Sequence, residues 1–338
     1  MKAIVWHGEQ DFKFEEVSEP VPGPDQVVVQ IKVTAVCGSD LHLQDFGALP
    51  PIIPGHEAAG VVVAVGKEVS GVEVGDRVTM NPVQYCGSCH SCTNGLEHLC
   101  LNTRHLGSGG VAGTWTERAV IDARNLHKIP EAVSFTAAAL TEPAAVCYQS
   151  FRRAGLKAGD TVLVLGDGPF GFLHTQIAIV LGAGCVICAG HYDHRLKRIE
   201  KQSGALVCNT KRDDLQKMVR EEVPPPGVDI AVEATGSGSV PSTGLNVLRP
   251  RGTLVVFSYI WKPEALDMGL IHMKELNVLG SCRSHKTFEP CLDLMAEGQI
   301  DTECMVDLDV PLRDYQQAMG RLQNDKANTF KVVFTPSS

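Results

Sequence analysis

The pattern of apolar and polar positions changes near residue 160, and the chain reads as two kinds of sequence on either side of that point. Before it, short apolar stretches such as residues 27–31 and 60–65 alternate with glycine, proline and aspartate turns. This pattern is typical of a mostly antiparallel or barrel-like β domain. After it, short apolar strands alternate with helix-length segments, which predicts a parallel sheet with helices on its faces.

The second region contains enough alternating segments for a doubly wound α/β sheet of five or six strands. The predicted strands are residues 161–165, 185–188, 228–233, 252–257 and 276–280. The predicted helices are residues 172–181, 195–203, 214–222 and 240–248. Three prolines and a glycine at 224–227 predict a surface break, because proline cannot continue a helix.

Length and charge restrict the class of protein. The chain has 338 residues, enough for two domains that each bury a core. Its formal net charge of −9 gives no general attraction to nucleic acid or anionic membranes. We find no apolar run of membrane-spanning length and no amino-terminal signal segment in the sequence. We therefore expect a cytoplasmic protein that acts on small molecules, without a nucleic-acid or membrane partner.

Cysteine usage points to metal binding. Twelve cysteines in a long chain without a secretory signal favour metal sites over disulfides. The strongest motif is a glycine-containing loop with Cys86, Cys89, Cys92 and Cys100. Four thiolates so close in sequence can complete a tetrahedral shell around Zn²⁺, which leaves no open position for a substrate. We expect a structural zinc site, and an incidental cluster of buried cysteines is the alternative.

A second group of candidate ligands lies upstream, in residues 36–42 and 54–58. Cys37, His56 and Glu57 offer sulfur, nitrogen and oxygen, a mixed set that suits Zn²⁺ and can keep one position open for water or an alcohol. A lone cysteine or histidine is more often packed than liganded, so the spacing alone leaves both alternatives open.

A glycine-rich loop follows the first predicted strand of the second region. Residues 162–171 read Val-Leu-Val-Leu-Gly-Asp-Gly-Pro-Phe-Gly, an apolar strand that runs into a G-x-G-x-x-G pattern and then a helix. Such a loop places a dinucleotide pyrophosphate on the N-terminus of the helix. The candidate cofactor-binding residues in it are Gly166, Gly168, Pro169, Phe170 and Gly171.

The cysteine loop and the motifs around Cys37 and His56 together resemble the zinc-containing medium-chain dehydrogenase/reductase family, in particular its sorbitol and threonine dehydrogenase branch. The resemblance runs over essentially the whole chain. It implies a GroES-like β-barrel catalytic domain at residues 1–150 and 285–338, with a Rossmann domain at 151–284. It also implies a homodimer or homotetramer.

The same resemblance implies the metal ligands. Cys37 and His56 match the ligands of the family's catalytic zinc, and Glu57 matches a glutamate that ligates the metal or stands beside it. Glu142, followed by Pro143, matches a carboxylate that reaches the zinc in the polyol branch. The alternative for Glu142 is an acid that complements the dipole at a helix N-terminus.

Three more residues match the family's catalytic machinery. Ser39 resembles the hydroxyl that bonds the substrate oxygen, and His42 resembles the outer proton acceptor reached through the cofactor ribose. Asp40 resembles the carboxylate that orients the histidine ligand. Without the resemblance, Ser39 reads as a turn residue and His42 as a solvated surface histidine.

Further positions bear on the pocket. Arg283 matches an arginine of the polyol branch that reaches the active-site region, and we include it among the cofactor-binding candidates. Ser284 stands where the branch often has a tyrosine after this arginine, so the resemblance implies no particular orientation of the substrate. Trp115 and Phe46 are candidate pocket walls or ordinary core residues.

The end of the second Rossmann strand bears on the choice of cofactor. NAD-binding proteins place an acid there, whereas this chain has Gly190. The missing carboxylate and the room left by glycine predict a preference for NADP(H) over NAD(H). Asp193 is the acid that could swing back to the ribose. Candidate donors to a 2′-phosphate are His191, Arg195, Lys211 and Arg212.

These features predict a zinc-dependent oxidoreductase with two zinc ions per chain. It would transfer a hydride between NAD(P) and a secondary alcohol, such as a polyol, sugar alcohol or sugar derivative. A threonine or amino-alcohol dehydrogenase on the same scaffold is one alternative. A non-catalytic dinucleotide-binding protein is another, since folds are reused without their chemistry.

Overall fold

The computed structural model describes residues 1–336, and these form two compact units. One unit contains Met1–Ala145 and the chain from Ser284 onward, and the other contains Val146–Arg283. The first boundary falls within the helix Thr141–Ala154, so a limit at 145 or at 150 cuts the same element. The domain limits expected from the sequence stay predictions.

The strands and helices follow the predicted change from a β-rich region to alternating elements. In chain order the strands are Lys2–Trp6 (β1), Phe12–Glu16 (β2), Gln26–Ala35 (β3), Glu57–Val65 (β4), Arg77–Met80 (β5), Val83–Gln84 (β6), Arg104–His105 (β7), Arg118–Asp122 (β8), Leu126–Lys128 (β9), Thr161–Leu165 (β10), Cys185–Gly190 (β11), Leu206–Asn209 (β12), Val228–Glu233 (β13), Leu248–Val256 (β14), Asn277–Gly280 (β15), Val306–Val310 (β16) and Lys331–Phe334 (β17). The helices are His90–Thr93 (α1), Phe135–Ala139 (α2), Thr141–Ala154 (α3), Pro169–Val180 (α4), Asp193–Ser203 (α5), Leu215–Glu222 (α6), Val240–Val247 (α7), Met268–Met273 (α8), Phe288–Ala296 (α9) and Tyr315–Asn324 (α10).

Strand β3 organises the sheet of the first unit. Within the described residues the strand order is β16-β17-β3-β4-β5-β9, and β8 also pairs with β3. The β-branched side chains of Val27, Val29 and Ile31 are fully buried on one face of β3, where they pack with Val62 and Ile121. Such residues suit a pleated surface that is covered on one side. β3 therefore provides a rigid base for the segment that follows it.

The second unit contains a parallel sheet. Its order within the described residues is β12-β11-β10-β13-β14-β15, and each strand in it runs parallel to its neighbours. The order reverses between β10 and β13, which is the topological switch point of a Rossmann fold. All five residues of β10 are buried, as expected for a central strand covered on both faces. The predicted doubly wound α/β class is confirmed.

Most predicted elements of this unit are found, but strand β12 and the short helix α8 were not predicted, and β14 and α4 begin earlier than predicted. Strand β12 was not predicted, because its four residues include only one β-branched side chain and lie at the edge of the sheet. Strand β14 begins at Leu248, four residues before the predicted start, since Leu248 pairs with Val228 ahead of a register shift. Helix α4 begins at Pro169, where the fixed backbone of proline suits a first turn.

No helix among residues 1–336 combines the length and the apolar character needed to cross a membrane.

Candidate active site

The four-cysteine loop closes a short antiparallel ribbon formed by β6 and β7. Its four sulfurs lie within 4.8 Å of one another. Four of the sulfur–sulfur separations lie between 3.5 Å, for Cys89 and Cys92, and 4.0 Å, for Cys86 and Cys92. A tetrahedral zinc with Zn–S bonds of about 2.3 Å holds its sulfurs about 3.8 Å apart. The spacing fits such an ion and is far too long for a disulfide bond.

The electrostatics of this loop favour a cation among its sulfurs. Backbone N–H groups of Ser88 and Cys89 point at the Cys86 sulfur and hold the pKa of that thiol at about 5. Burial and neighbouring thiols raise the pKa of Cys92 to about 12. Four sulfurs this close cannot all ionise unless a positive charge lies among them. The donor set therefore fits Zn²⁺ in a closed shell.

The second cluster is assembled by the pairing of β3 with β4. Ala35, at the end of β3, pairs with Glu57, at the start of β4, and this brings Cys37 close to His56. The ligand atoms of Cys37, His56 and Glu57 lie within 4.8 Å of one another, and all three side chains are buried. The structure thus brings together the mixed ligand set that the sequence suggested.

Asp40 contacts both of the leading candidate ligands. Its Oδ2 accepts the Cys37 backbone N–H at 2.9 Å, and its Oδ1 lies 3.2 Å from His56 Nδ1. This contact leaves Nε2 as the ligand atom of His56. Burial opposes protonation of His56, but Asp40 and Cys37 outweigh burial and raise the pKa of His56 well above its usual value. The pocket therefore favours positive charge at this point, as a cation site must.

Glu57 is engaged by a buried lysine that the sequence analysis missed. Lys331 Nζ lies 2.6 Å from both carboxylate oxygens of Glu57 and donates to the Val36 carbonyl at 3.2 Å. Both side chains are almost fully buried. With both oxygens bonded to Lys331, Glu57 stands beside the cluster as a charge-balancing neighbour in this geometry. A lysine inside an apolar strand was the available signal, because a buried charge needs a partner.

Glu142 lies in the first turn of α3, immediately before Pro143. It is outside the group of three residues whose ligand atoms fall within 4.8 Å. Its side chain keeps some solvent contact, yet burial raises the pKa of its carboxyl to about 7, with His56 opposing the rise and Glu57 adding to it. Glu142 is therefore both a helix N-terminal acid and an electrostatic neighbour of the cluster.

Ser39 and His42 belong to the short 3₁₀ helix Gly38–Leu41 and its C-cap. Ser39 is half-buried in the same turn as Asp40. The side chain of His42 is 60% exposed, and its Nδ1 lies 3.2 Å from Asp45 Oδ2. One short segment thus presents an inner hydroxyl and an outer imidazole.

The glycine-rich loop of the second unit connects β10 to α4 as predicted. Gly166 has a φ of 133°, a conformation that favours glycine. Helix α4 has Gly168 as its N-cap and begins at Pro169, with Phe170 in its first turn. A Cβ on Gly171 would overlap the Gly166 carbonyl oxygen, so the helix can approach the loop only with glycine there. The first backbone N–H groups of α4 have no partner within the helix, so its N-terminus suits an anion such as a pyrophosphate.

The space expected beside Gly190 is filled. A Cβ at this position would overlap the Cβ of Asp167 and would lie 2.5 Å from its Oδ2. The expectation that glycine leaves room for a 2′-phosphate was therefore wrong, because the Asp167 carboxylate occupies that room. The sequence did contain a signal for this arrangement, because Asp167 is an acid inside the glycine-rich loop and the end of β11 has no acid.

The candidate phosphate-binding cations lie close to acids or aromatic rings. Arg195 is buried, with Nη1 4.0 Å from Asp167 Oδ1. Arg212 bonds both oxygens of Asp193 at 2.7 Å, which holds this acid away from a ribose. Lys211 Nζ lies 5.0 Å from the centre of the Tyr192 ring. The side chain of His191 is exposed, and Arg283 follows β15 with a φ of 61°.

Two family models match the chain. The alcohol dehydrogenase GroES-like domain matches residues 23–131, and the zinc-binding dehydrogenase model matches residues 169–297. A sorbitol dehydrogenase from Halalkalibacterium halodurans is 32% identical over 99% of this chain and 99% of its own length. The chain belongs to the zinc-dependent medium-chain dehydrogenase family. The predicted GroES-like and Rossmann architecture and the predicted oxidoreductase class are confirmed.

Other dehydrogenases are also similar over nearly the whole chain. An L-threonine 3-dehydrogenase from Pyrococcus abyssi is 32% identical over 94% of this chain and 93% of its own length. The crystal structure of rspB from Escherichia coli CFT073, complexed with NADH, has a TM-score of 0.93 at 29% identity and covers 99% of both chains. A zinc-binding dehydrogenase from Sinorhizobium meliloti, bound to NADP, has a TM-score of 0.90 at 28% identity over 99% of both chains.

The two aromatic residues considered as pocket walls, Trp115 and Phe46, differ in how far they are buried. Trp115 is fully buried, packs 5.3 Å from Phe334 between ring centroids and donates its Nε1–H to the Ala35 carbonyl. It is a core residue. Phe46 is 43% exposed in the turn that follows His42. Ser284 is buried, and its hydroxyl has no hydrogen-bond partner among the described residues.

Proposed function

We propose that the protein is a zinc-dependent dehydrogenase that transfers a hydride between a secondary alcohol and a nicotinamide dinucleotide. The observation that carries the proposal is the buried contact of Asp40 with both Cys37 and His56. One carboxylate that fixes a sulfur ligand and a nitrogen ligand is typical of a metal centre whose geometry must be held during reaction. A non-catalytic dinucleotide-binding protein would have no need of this arrangement.

Two zinc ions per chain are part of the proposal. Cys37 and His56 would hold the catalytic ion, with Glu57 and Glu142 close enough to tune its charge. Cys86, Cys89, Cys92 and Cys100 would hold a structural ion. When bound, the catalytic zinc supplies a Lewis acid that makes an alcohol more acidic, and the nicotinamide supplies the hydride acceptor.

The chain's own residues would bind the substrate hydroxyl, orient the histidine ligand and carry the released proton to solvent. Ser39 would accept a hydrogen bond from the substrate hydroxyl and pass its proton outward, and His42, at the solvent-exposed end of the same short helix, would release it. Asp40 holds the tautomer of His56 in which Nδ1 carries the hydrogen. Lys331 neutralises Glu57, so that the pocket does not gather excess negative charge.

The substrate class proposed is polyols, sugar alcohols or their derivatives. It is supported by the similarity to a sorbitol dehydrogenase and by the Glu142–Pro143 pair at the start of α3. A threonine or amino-alcohol dehydrogenase is the second candidate, and it is supported by the similarity to an L-threonine 3-dehydrogenase. The polyol assignment is preferred because the sorbitol dehydrogenase match spans more of the chain.

A substrate panel separates these candidates. Zinc-loaded protein is mixed with polyols, sugar phosphates or threonine, and reduction of the dinucleotide is followed by its absorbance. We expect the highest kcat/KM with a polyol or sugar derivative. Turnover of threonine alone would favour the second candidate, and no turnover with any secondary alcohol would contradict the proposed reaction.

For the cofactor, the sequence favoured NADP(H) over NAD(H). The absence of an acid at Gly190 supports that preference, whereas the Asp167 carboxylate next to Gly190 supports NAD(H). Comparison of kcat/KM for the two cofactors with one substrate decides between them.

The proposed domains are a catalytic domain of residues 1–150 and 285–338 and a cofactor domain of residues 151–284, and the proposed oligomer in solution is a homodimer or homotetramer. Sedimentation equilibrium tests the last of these.

A further inference from the structure

We propose that Asp167 is the residue that selects NAD(H) against NADP(H). The inference rests on the proposed nicotinamide-dependent function and adds the side chain that decides between the two cofactors. Asp167 is the second residue of the glycine-rich loop and is only 7% exposed. Its carboxylate lies at the end of β11, where the sequence has no acid of its own.

The sheet brings the loop to this position. Strands β10 and β11 are parallel neighbours, with Leu165 paired to Ala189. The loop that follows β10 therefore lies beside Gly190, the last residue of β11. In a doubly wound fold the adenosine ribose binds between these two points, and an acid at the end of the second strand accepts its hydroxyls. Here the acid comes instead from the loop after β10, and its carboxylate bonds the backbone that follows Gly190.

The carboxylate is firmly anchored. Asp167 Oδ2 accepts the backbone N–H of His191 at 2.7 Å and that of Tyr192 at 2.6 Å. Two successive N–H groups that point at one place form an anion site. The chain's own carboxylate fills this site, so a 2′-phosphate cannot use these donors and would meet a like charge beside them.

The nearby cations do not compensate. Arg195 faces the same carboxylate at 4.0 Å, and Arg212 is bound by both oxygens of Asp193. A 2′-phosphate would have to compete with Asp167 for the first arginine and with Asp193 for the second. Both cations are therefore already balanced by acids.

Gly190 and Asp167 also form a steric pair. Because a Cβ on Gly190 would overlap the Cβ of Asp167, an acid at residue 190 requires glycine at residue 167. The variant Gly190→Asp alone would clash and cannot report on cofactor choice. The exchange Asp167→Gly with Gly190→Asp moves the acid to the strand end and keeps one carboxylate in the gap.

The test measures binding separately from turnover. NAD⁺ and NADP⁺ are titrated calorimetrically into the zinc-loaded full-length protein. We expect the wild type to bind NAD⁺ at least about tenfold more tightly than NADP⁺, because like-charge contacts at an interface are costly. Asp167→Gly should lower this ratio about tenfold or more. Asp167→Asn, which keeps the size and one acceptor oxygen, should lower it too, and the exchange variant should restore it.

Asp160→Asn is the matched control. Asp160 also accepts a backbone N–H, from Lys157 at 2.9 Å, but it precedes β10, roughly 16 Å away along the strand. Its removal should leave the ratio unchanged. A wild-type preference for NADP⁺, or an unchanged ratio in both Asp167 variants, overturns the assignment. If neither dinucleotide binds the wild type, the proposed function itself is contradicted. That result differs from a failure of this inference alone, in which at least one dinucleotide still binds and the affinity ratio can be measured.

Discussion

The two candidate metal clusters of the first unit are built in opposite ways. The cysteine loop takes its ligands from residues 86–100, and backbone N–H groups of the same loop, such as that of Cys89, donate to its sulfurs. The cluster around Cys37 takes its groups from distant segments of the chain, and Lys331 lies 274 positions from Glu57. The first cluster is a closed local shell, whereas the second depends on the pairing of strands.

This difference predicts that the cysteine loop serves the stability of the protein and the cluster around Cys37 serves the reaction. A closed shell of four sulfurs has no position for a substrate, so its loss should mainly unfold the loop. The mixed cluster offers fewer protein ligands and is surrounded by the side chains of Asp40, Lys331 and Glu142, which position charge. Its loss should mainly abolish reaction. Substitutions that affect one cluster and leave the other intact can therefore test the comparison.

The largest effects are expected from exchanging one cysteine of each cluster. Cys37→Ser should abolish turnover and lower zinc from about two to about one equivalent per chain, with thermal stability near that of the wild type. Cys89→Ser should lower thermal stability strongly, because it opens a closed shell. Elemental analysis, turnover and thermal unfolding measure these outcomes.

The half-buried Cys185, which lies outside both clusters, provides the control. Cys185→Ser should keep both zinc ions and turnover. One zinc or none in the wild type would contradict the two-site proposal. Wild-type turnover in Cys37→Ser would remove Cys37 from the catalytic centre.

Ser39→Ala comes next in size. Loss of the hydroxyl should slow the chemical step by about 10²–10⁴-fold, the usual worth of a positioned proton-transfer group. The unfolding midpoint should not change, because Ser39 is half-buried on a short 3₁₀ helix and outside the core clusters. Single-turnover rates measure the effect, and Ser39→Thr, which retains a hydroxyl, should recover part of it. Equal rates for Ser39→Ala and the wild type would exclude the relay.

The same contrast explains how far the sequence could predict the site. The cysteine loop could be recognised because all its ligands are close in sequence and their spacing alone defines a shell. The glycine-rich loop could be recognised because a strand and a helix flank it. The Lys331–Glu57 pair could not be recognised from the sequence, because the two residues are brought together only by the register of β17 with β3 and of β3 with β4. Asp167 was missed for a similar reason: its partners follow another strand, and a motif does not show where its variable side chain points.

Lys331→Met tests the part of the mixed cluster that the sequence did not reveal. This change leaves the Glu57 carboxylate buried without its cation, which should cost about 3–5 kcal/mol of unfolding free energy. The double variant Lys331→Met with Glu57→Gln should be less destabilised, because no buried charge then lacks a partner. Urea unfolding of zinc-loaded protein measures both. A cost below about 1 kcal/mol for Lys331→Met would mean that the pair behaves like an exposed ion pair.

His42→Ala should have the smallest effect, and its pH dependence distinguishes a relay from a structural role. The side chain is 60% exposed, so stability should not change. If His42 releases the proton to solvent, its loss should slow turnover by less than about 10²-fold near neutral pH. The deficit should shrink as pH rises, because hydroxide and buffer bases take over the step. Asp45→Asn, which removes the acid 3.2 Å from His42 Nδ1, should give a weaker version of the same profile. A deficit that is constant from neutral to alkaline pH would show that His42 acts by shaping the helix, since only a proton acceptor can be replaced by solvent base.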